Sequence, residues 1–182
     1  MLIDEFLPEY DFDEKHEIDV RAPIEKVYAA LNAFDPNDSA ILRWLFWLRG
    51  LTSKDNRGAE PKSLAERAMT KLDFTLLGEK RNEEILLGLV GKFWALSGDL
   101  QKVKAEEFFA FGKEGYAKAV WNFTLSEAGE KKTRLKTETR IQCLGAASQE
   151  SFRFYWRVIK PFSGWTRLEM LRLVKEKAEA GS

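Results

Sequence analysis

Histidine and cysteine are nearly missing from this chain: there is one of each, His16 and Cys143, in 182 residues. A lone cysteine excludes an intrachain disulfide framework. These two soft ligands cannot hold zinc unless carboxylates complete the set, so no metal and no cofactor is expected. A Ser-His-Asp triad would have to use His16, and no Gly-x-Ser-x-Gly elbow exists. Gly88-Leu89-Val90-Gly91 lacks the spacing and the strand-to-helix setting of a dinucleotide fingerprint. Net charge is missing too, with 29 Lys and Arg against 29 Asp and Glu. No basic run is interleaved with aromatics, which argues against a nucleic-acid partner. No apolar run is long and unbroken enough to span a bilayer. The opening Met1-Leu2-Ile3-Asp4-Glu5 lacks the design of a secretory signal, so a cytoplasmic protein is the expectation.

What is present is pattern. His16, Ile18 and Val20 alternate with Lys15, Glu17, Asp19 and Arg21, which predicts a half-buried strand over 15–21. Pro23 suits the first turn of a helix, and Val27, Ala30, Leu31 and Phe34 continue it at helical spacing to 34. A second helix is expected after Asp38 or Ser39, apolar nearly all round because of Trp44 and Trp47. Residues 52–62 read as a loop, and Ser63 as the cap of a short helix to about Met69. Phe74, Leu76 and Leu77 suggest a strand, Arg81-Asn82 a turn, and Ile85 to Phe93 another strand with bends or bulges at Gly88 and Gly91. Glu107–Phe111 is a further strand candidate.

Residues 115–143 are the clearest hairpin. Ala117, Ala119, Trp121, Phe123 and Leu125 share one face. After a turn at Glu127–Lys131, Thr133, Leu135, Thr137, Thr139, Ile141 and Cys143 form a sheltered face opposite an unbroken polar one. A long amphipathic helix follows from Ser148, with Phe152, Tyr155, Trp156 and Ile159 and then Trp165, Leu168, Leu171, Val174 and Ala178 on its stripe. Pro161 predicts a kink or break, with Ser163-Gly164 restarting the helix.

Strand, two helices, an antiparallel run and a long terminal helix resemble the START-like, or SRPBCC, superfamily of pollen-allergen-like proteins and polyketide cyclases. The resemblance rests on Arg21-Ala22-Pro23-Ile24-Glu25-Lys26-Val27-Tyr28, on Glu84 to Trp94, and on Phe152 to Gly164. It covers most of residues 14–178 and is narrowest toward bacterial members. It implies an α+β helix-grip fold over one domain, 1–182. In that fold a curved antiparallel sheet wraps around a long C-terminal helix and leaves a pocket between them. The expected function is binding of a small, mostly apolar or lipid-like molecule.

Candidate ligand-binding residues are His16, Phe93, Trp121, Phe123, Thr137, Thr139, Ile141, Tyr155, Trp156 and Ile159. The aromatics would supply apolar walls or else plug the interior. Threonine hydroxyls would orient a ligand's oxygens or else merely suit strands. His16 is either a general base in the pocket or a hydrogen-bonded strand histidine near the sheet rim. A cyclase or hydratase would use His16 or Tyr155 to move a proton. An interaction scaffold, or a homodimer, would use Trp44 and Trp47. Glu83 or Glu84 with Arg153 or Arg157 would either form an ion pair linking sheet and helix or, since both arginines lie off the Tyr155–Trp156 stripe, stand in solvent, which is the favoured reading.

Overall fold

The computed structural model describes residues 1–35, 63–71, 73–95 and 98–180. Strands β1 (Phe12–Val20), β2 (Thr75–Lys80), β3 (Glu84–Gly91), β4 (Ala117–Gly129) and β5 (Lys132–Cys143) form one antiparallel sheet in the order β1-β5-β4-β3-β2. Helices α1 (Leu2–Phe6), α2 (Ile24–Asn32), α3 (Leu64–Lys71), α4 (Ala105–Ala110) and α5 (Ala146–Ala180) surround it. The fold is α+β, and α5 packs on β1 and β5 across the concave side of the sheet and against α2. The helix predicted after Asp38, with Trp44 and Trp47, and the 52–62 loop lie outside the described residues.

Two-residue periodicity sets the inner face. Phe12, Glu14, His16, Ile18 and Val20 of β1 stand opposite Ile141, Thr139, Thr137, Leu135 and Thr133 of β5. Val20, Leu31, Phe123, Leu135, Leu171 and Val174 gather into the main core at one end of this face. Ala117, Ile141, Phe152 and Trp156 gather at the other, with Phe12, Phe93 and Tyr155 against them. Between the two apolar clusters runs a polar layer from Glu14, His16, Thr137, Thr139, Ser163 and Arg167.

The outer face is not the wet surface that its alternation predicts. Ile3 and Leu7, from α1 and its end, bury fully against it beside Leu86, Val90, Phe108 and Val120. Arg140 donates to the Leu7 carbonyl (3.2 Å) and to Asp4 Oδ1 (2.8 Å). Glu84 turns outward and accepts the Leu2 N–H (2.9 Å) and the Asn122 amide (3.0 Å). Glu84 therefore serves this outer layer and does not reach Arg153 or Arg157; no sheet-to-helix ion pair joins these residues.

Three further expectations change. Glu107–Phe111 is not a strand: Ala105–Ala110 is a helical turn, because the Glu107 carboxylate accepts the Lys104 N–H (3.0 Å) and Phe108 buries onto the sheet. Gly88 makes no bulge, since β3 pairs with β4 in unbroken register. It is instead a point of close approach, where a Cβ would stand 2.7 Å from Leu77 and 2.9 Å from Phe108. Pro161 does not break the last helix, which is continuous over Ala146–Ala180. Pro161 and Arg157 are both exposed, so the carbonyl that loses its donor is offered to water rather than to the core.

Candidate functional site

A cavity of about 80 Å³ lies between the sheet and α5. Phe74, Leu89, Phe93, Phe152 and Trp156 form apolar walls, and Thr139, Ser163 and Arg167 one polar wall. Its position follows from side-chain size. Ala119 of β4 leaves space where its neighbours Trp121 and Ile141 are large, and the aromatic cluster around Phe152 roofs that space instead of filling it.

Six of the residues singled out by sequence line the cavity: Phe93, Trp121, Thr139, Ile141, Tyr155 and Trp156. Four do not. Phe123 is fully buried in the main core. Ile159 is half-buried on α5 and does not line the cavity. Thr137 accepts the Trp121 indole N–H (2.7 Å) and donates to the Asn122 carbonyl (2.9 Å), so its hydroxyl is committed to the sheet. Thr133 likewise donates to the Ala22 carbonyl (2.7 Å). His16 points inward but sits under α5 beside Gly164, clear of the cavity lining.

Glu14, Ser163 and Arg167 are the members of the polar layer that sequence reasoning missed. Arg167, about nine-tenths buried, donates from Nε (3.2 Å) and Nη2 (2.6 Å) to Thr139 Oγ1. Its Nη1 donates to the Ser163 carbonyl (3.2 Å) and, closely, to the Ser163 hydroxyl. The guanidinium carbon stands 5.4 Å from the Trp121 ring centre, a cation–π contact in a shielded setting. Glu14, 8% exposed, brings Oε2 to 3.4 Å from Arg167 Nη1. That oxygen accepts no hydrogen bond, so the pair is held by charge rather than by hydrogen-bond geometry. Glu14 Oε1 lies 3.1 Å from His16 Nε2. An ionised carboxylate only accepts, which puts the imidazole proton on Nε2.

Gly164 makes this arrangement possible. A Cβ there would stand 2.8 Å from Glu14 Oε1 and 3.5 Å from the His16 ring. A side chain there would have to displace the Glu14 carboxylate, so its absence lets the helix cover two ionisable residues without moving them.

Chemically, the cavity offers flat apolar surfaces and one wall whose donors are a hydroxyl and a guanidinium. Among the described residues no group of three or more His, Cys, Asp or Glu side chains could hold a metal ion. Cys143 is half-buried on the sheltered face, and burial, with Asp11 nearby, pushes its thiol up to about 12.

No family model matches the chain, and no curated protein matches it. Among solved structures, a conserved protein from Geobacillus kaustophilus is similar over 92% of this chain and 95% of its own, at 10% identity and a TM-score of 0.47. The aromatase/cyclase Zhui from a Streptomyces species is similar over 92% and 93%, at 12% identity and a TM-score of 0.35. The di-domain aromatase/cyclase BexL of the BE-7585A biosynthetic pathway is similar over 93% of this chain and 47% of its own, at 14% identity and a TM-score of 0.38. At such identities and scores these likenesses say nothing of what this chain binds. Its own strand order, with the long last helix laid across the concave face, is the helix-grip arrangement.

Proposed function

We propose that the chain binds a small, mostly apolar molecule with one oxygen-bearing end in the cavity between the sheet and α5. The observation that carries this reading is the cavity's asymmetry: aromatic and aliphatic walls, with Thr139, Ser163 and Arg167 together on one side. Apolar contact supplies affinity and the few polar groups supply orientation, as in most small-molecule sites.

Volume bounds the ligand. A liquid water occupies about 30 Å³, and an apolar cavity of about 150 Å³ accommodates benzene. A cavity of about 80 Å³ therefore takes a handful of heavy atoms, or the end of a longer ligand. At a ceiling of about 1.5 kcal/mol per heavy atom, five such atoms reach about 7.5 kcal/mol, a dissociation constant of micromolar order or weaker.

The test is to titrate isobutyrate and isobutanol into the protein and follow the Trp121 indole N–H by NMR. Saturable shifts are expected, and Ala119→Leu, which puts three extra carbons into the cavity, should remove them while the protein stays folded. No shift at millimolar ligand, or identical shifts in the filled variant, sinks the reading.

The Glu14–His16 contact favours a second reading, a proton-moving enzyme of the hydratase or cyclase type. It supplies an imidazole with an oriented carboxylate. His16 is not among the residues lining the cavity between the sheet and α5, so a ligand held there would not lie against it.

A further inference from the structure

We propose that the outer face of α5 docks onto the surface of an anionic lipid bilayer. The helix carries two apolar stripes, and the inner one is the core contact. The outer one runs Phe154, Val158, Pro161, Trp165 and Leu168, at steps of four, three, four and three, so these residues lie along one line of the helix. They are left in solvent: Phe154 is 75% exposed, Val158 55%, Trp165 52% and Leu168 50%. Large apolar residues scattered singly over a surface are ordinary, but five in a row on one helix face are not.

Charge identifies the occupant. Between Ala146 and Leu168 the only acid is Glu150. Arg153, Arg157 and Lys160 lie exposed along one flank of the stripe, and among the described residues none has an ion-pair partner. Farther along α5 and on the β1–β5 surface, several exposed cations sit on carboxylates: Arg134 on Asp19, Lys136 on Glu17, Arg172 on Glu169 and Glu176. The stripe ends where that paired pattern resumes, at Arg172. A tryptophan and a phenylalanine in a row, flanked by unanswered cations, match the interface of a bilayer with anionic headgroups. The helix would lie on such a surface, since no described helix is long and apolar enough to cross a membrane.

The same four-three spacing is also a coiled-coil seam, so a second copy is the competing occupant. Self-pairing would bring the same three cations to the joint from both copies, with only Glu150 from each to oppose them. That imbalance decides for the bilayer.

The full chain should co-sediment with vesicles of equal parts phosphatidylcholine and phosphatidylglycerol, and not with vesicles of phosphatidylcholine alone. Binding should fall as salt is raised. Each cation near the surface contributes about fivefold, so Arg153→Gln, Arg157→Gln and Lys160→Gln together should lower partitioning on the order of a hundredfold. Phe154→Asp with Trp165→Asp should abolish it. Both sets alter exposed side chains, and circular dichroism melts should match the parent. The lipid and salt comparisons use the unaltered chain and hold even if a variant misfolds. No sedimentation with anionic vesicles, or equal sedimentation with both vesicle types, overturns the proposal. So does a dimer in sedimentation velocity that Phe154→Asp with Trp165→Asp splits into monomers, because the stripe then belongs to a second copy.

Discussion

Arg167→Met should be among the most damaging single changes in the molecule, although methionine is a good helix former of similar length. The change removes the contacts with Thr139 and Ser163, and leaves the Glu14 carboxyl group 8% exposed with only the His16 imidazole beside it. Breaking a buried pair by removing one partner costs about 3–5 kcal/mol. Summing the individual hydrogen bonds to a charged group, each about 1.5–3 kcal/mol, would overshoot, because they share one guanidinium and its desolvation. Against a total stability of about 5–15 kcal/mol the loss is large, and at about 2–4 °C per kcal/mol for a chain of this size it lowers the melting temperature by roughly 10 °C. The informative comparison is the double variant. Glu14→Leu with Arg167→Met removes both charges and should return to within about 2 kcal/mol of the parent, since an apolar replacement of a buried pair is often neutral. Urea unfolding of the parent, the two single variants and the double variant gives the coupling directly. If Arg167→Met costs under about 1 kcal/mol, or if the single losses simply add in the double variant, Glu14 and Arg167 do not interact as the geometry requires.

Deleting residues 1–8 removes two fully buried side chains, Ile3 and Leu7, from the outer layer. At about 1.5–3 kcal/mol each the loss is about 3–6 kcal/mol, visible as a lowered urea midpoint, and an unchanged midpoint would mean that α1 contributes nothing. Cys143 should resist alkylation: with its thiol pushed from 9.0 to about 12, iodoacetamide at pH 8 should modify the folded protein at least about a hundredfold more slowly than the urea-unfolded chain. The same raised value costs folded-state stability only as pH climbs above 9.0, where the unfolded thiol ionises and the folded one does not. Equal alkylation rates in the two states would show that the thiol is not shielded.

The architecture was legible because it is written in periodicity. The β4–β5 hairpin alternates without a break, and the order of strands and helices follows from it. Half of the cavity was legible for the same reason: Phe93, Trp121, Thr139, Ile141, Tyr155 and Trp156 fall on faces that the pattern turns inward. The rest of the polar layer was not, because a strand read from Lys15 stops one residue short of Glu14, which shares the face of His16, Ile18 and Val20. Arg167 follows Ser163 by four on the buried stripe of α5. An arginine there requires a buried partner, and that was the available signal. The outer layer was missed because five residues at the N-terminus are too short to show a helical period, so the face they cover reads as polar and wet. Glu107–Phe111 was misread because its aromatics favour strands, while the Glu107 cap settles the turn.

Joining β1 to the far end of the chain has a consequence for synthesis. Glu14 is made early and Arg167 late, and β1 hydrogen-bonds to β5, itself near the end. While the ribosome is still working, the first strand has neither its neighbour nor its counter-ion, and its acid stays hydrated rather than committed to a wrong core. Such distant pairings delay closure. The nascent chain should therefore remain open until the last helix emerges, then close in a single late step.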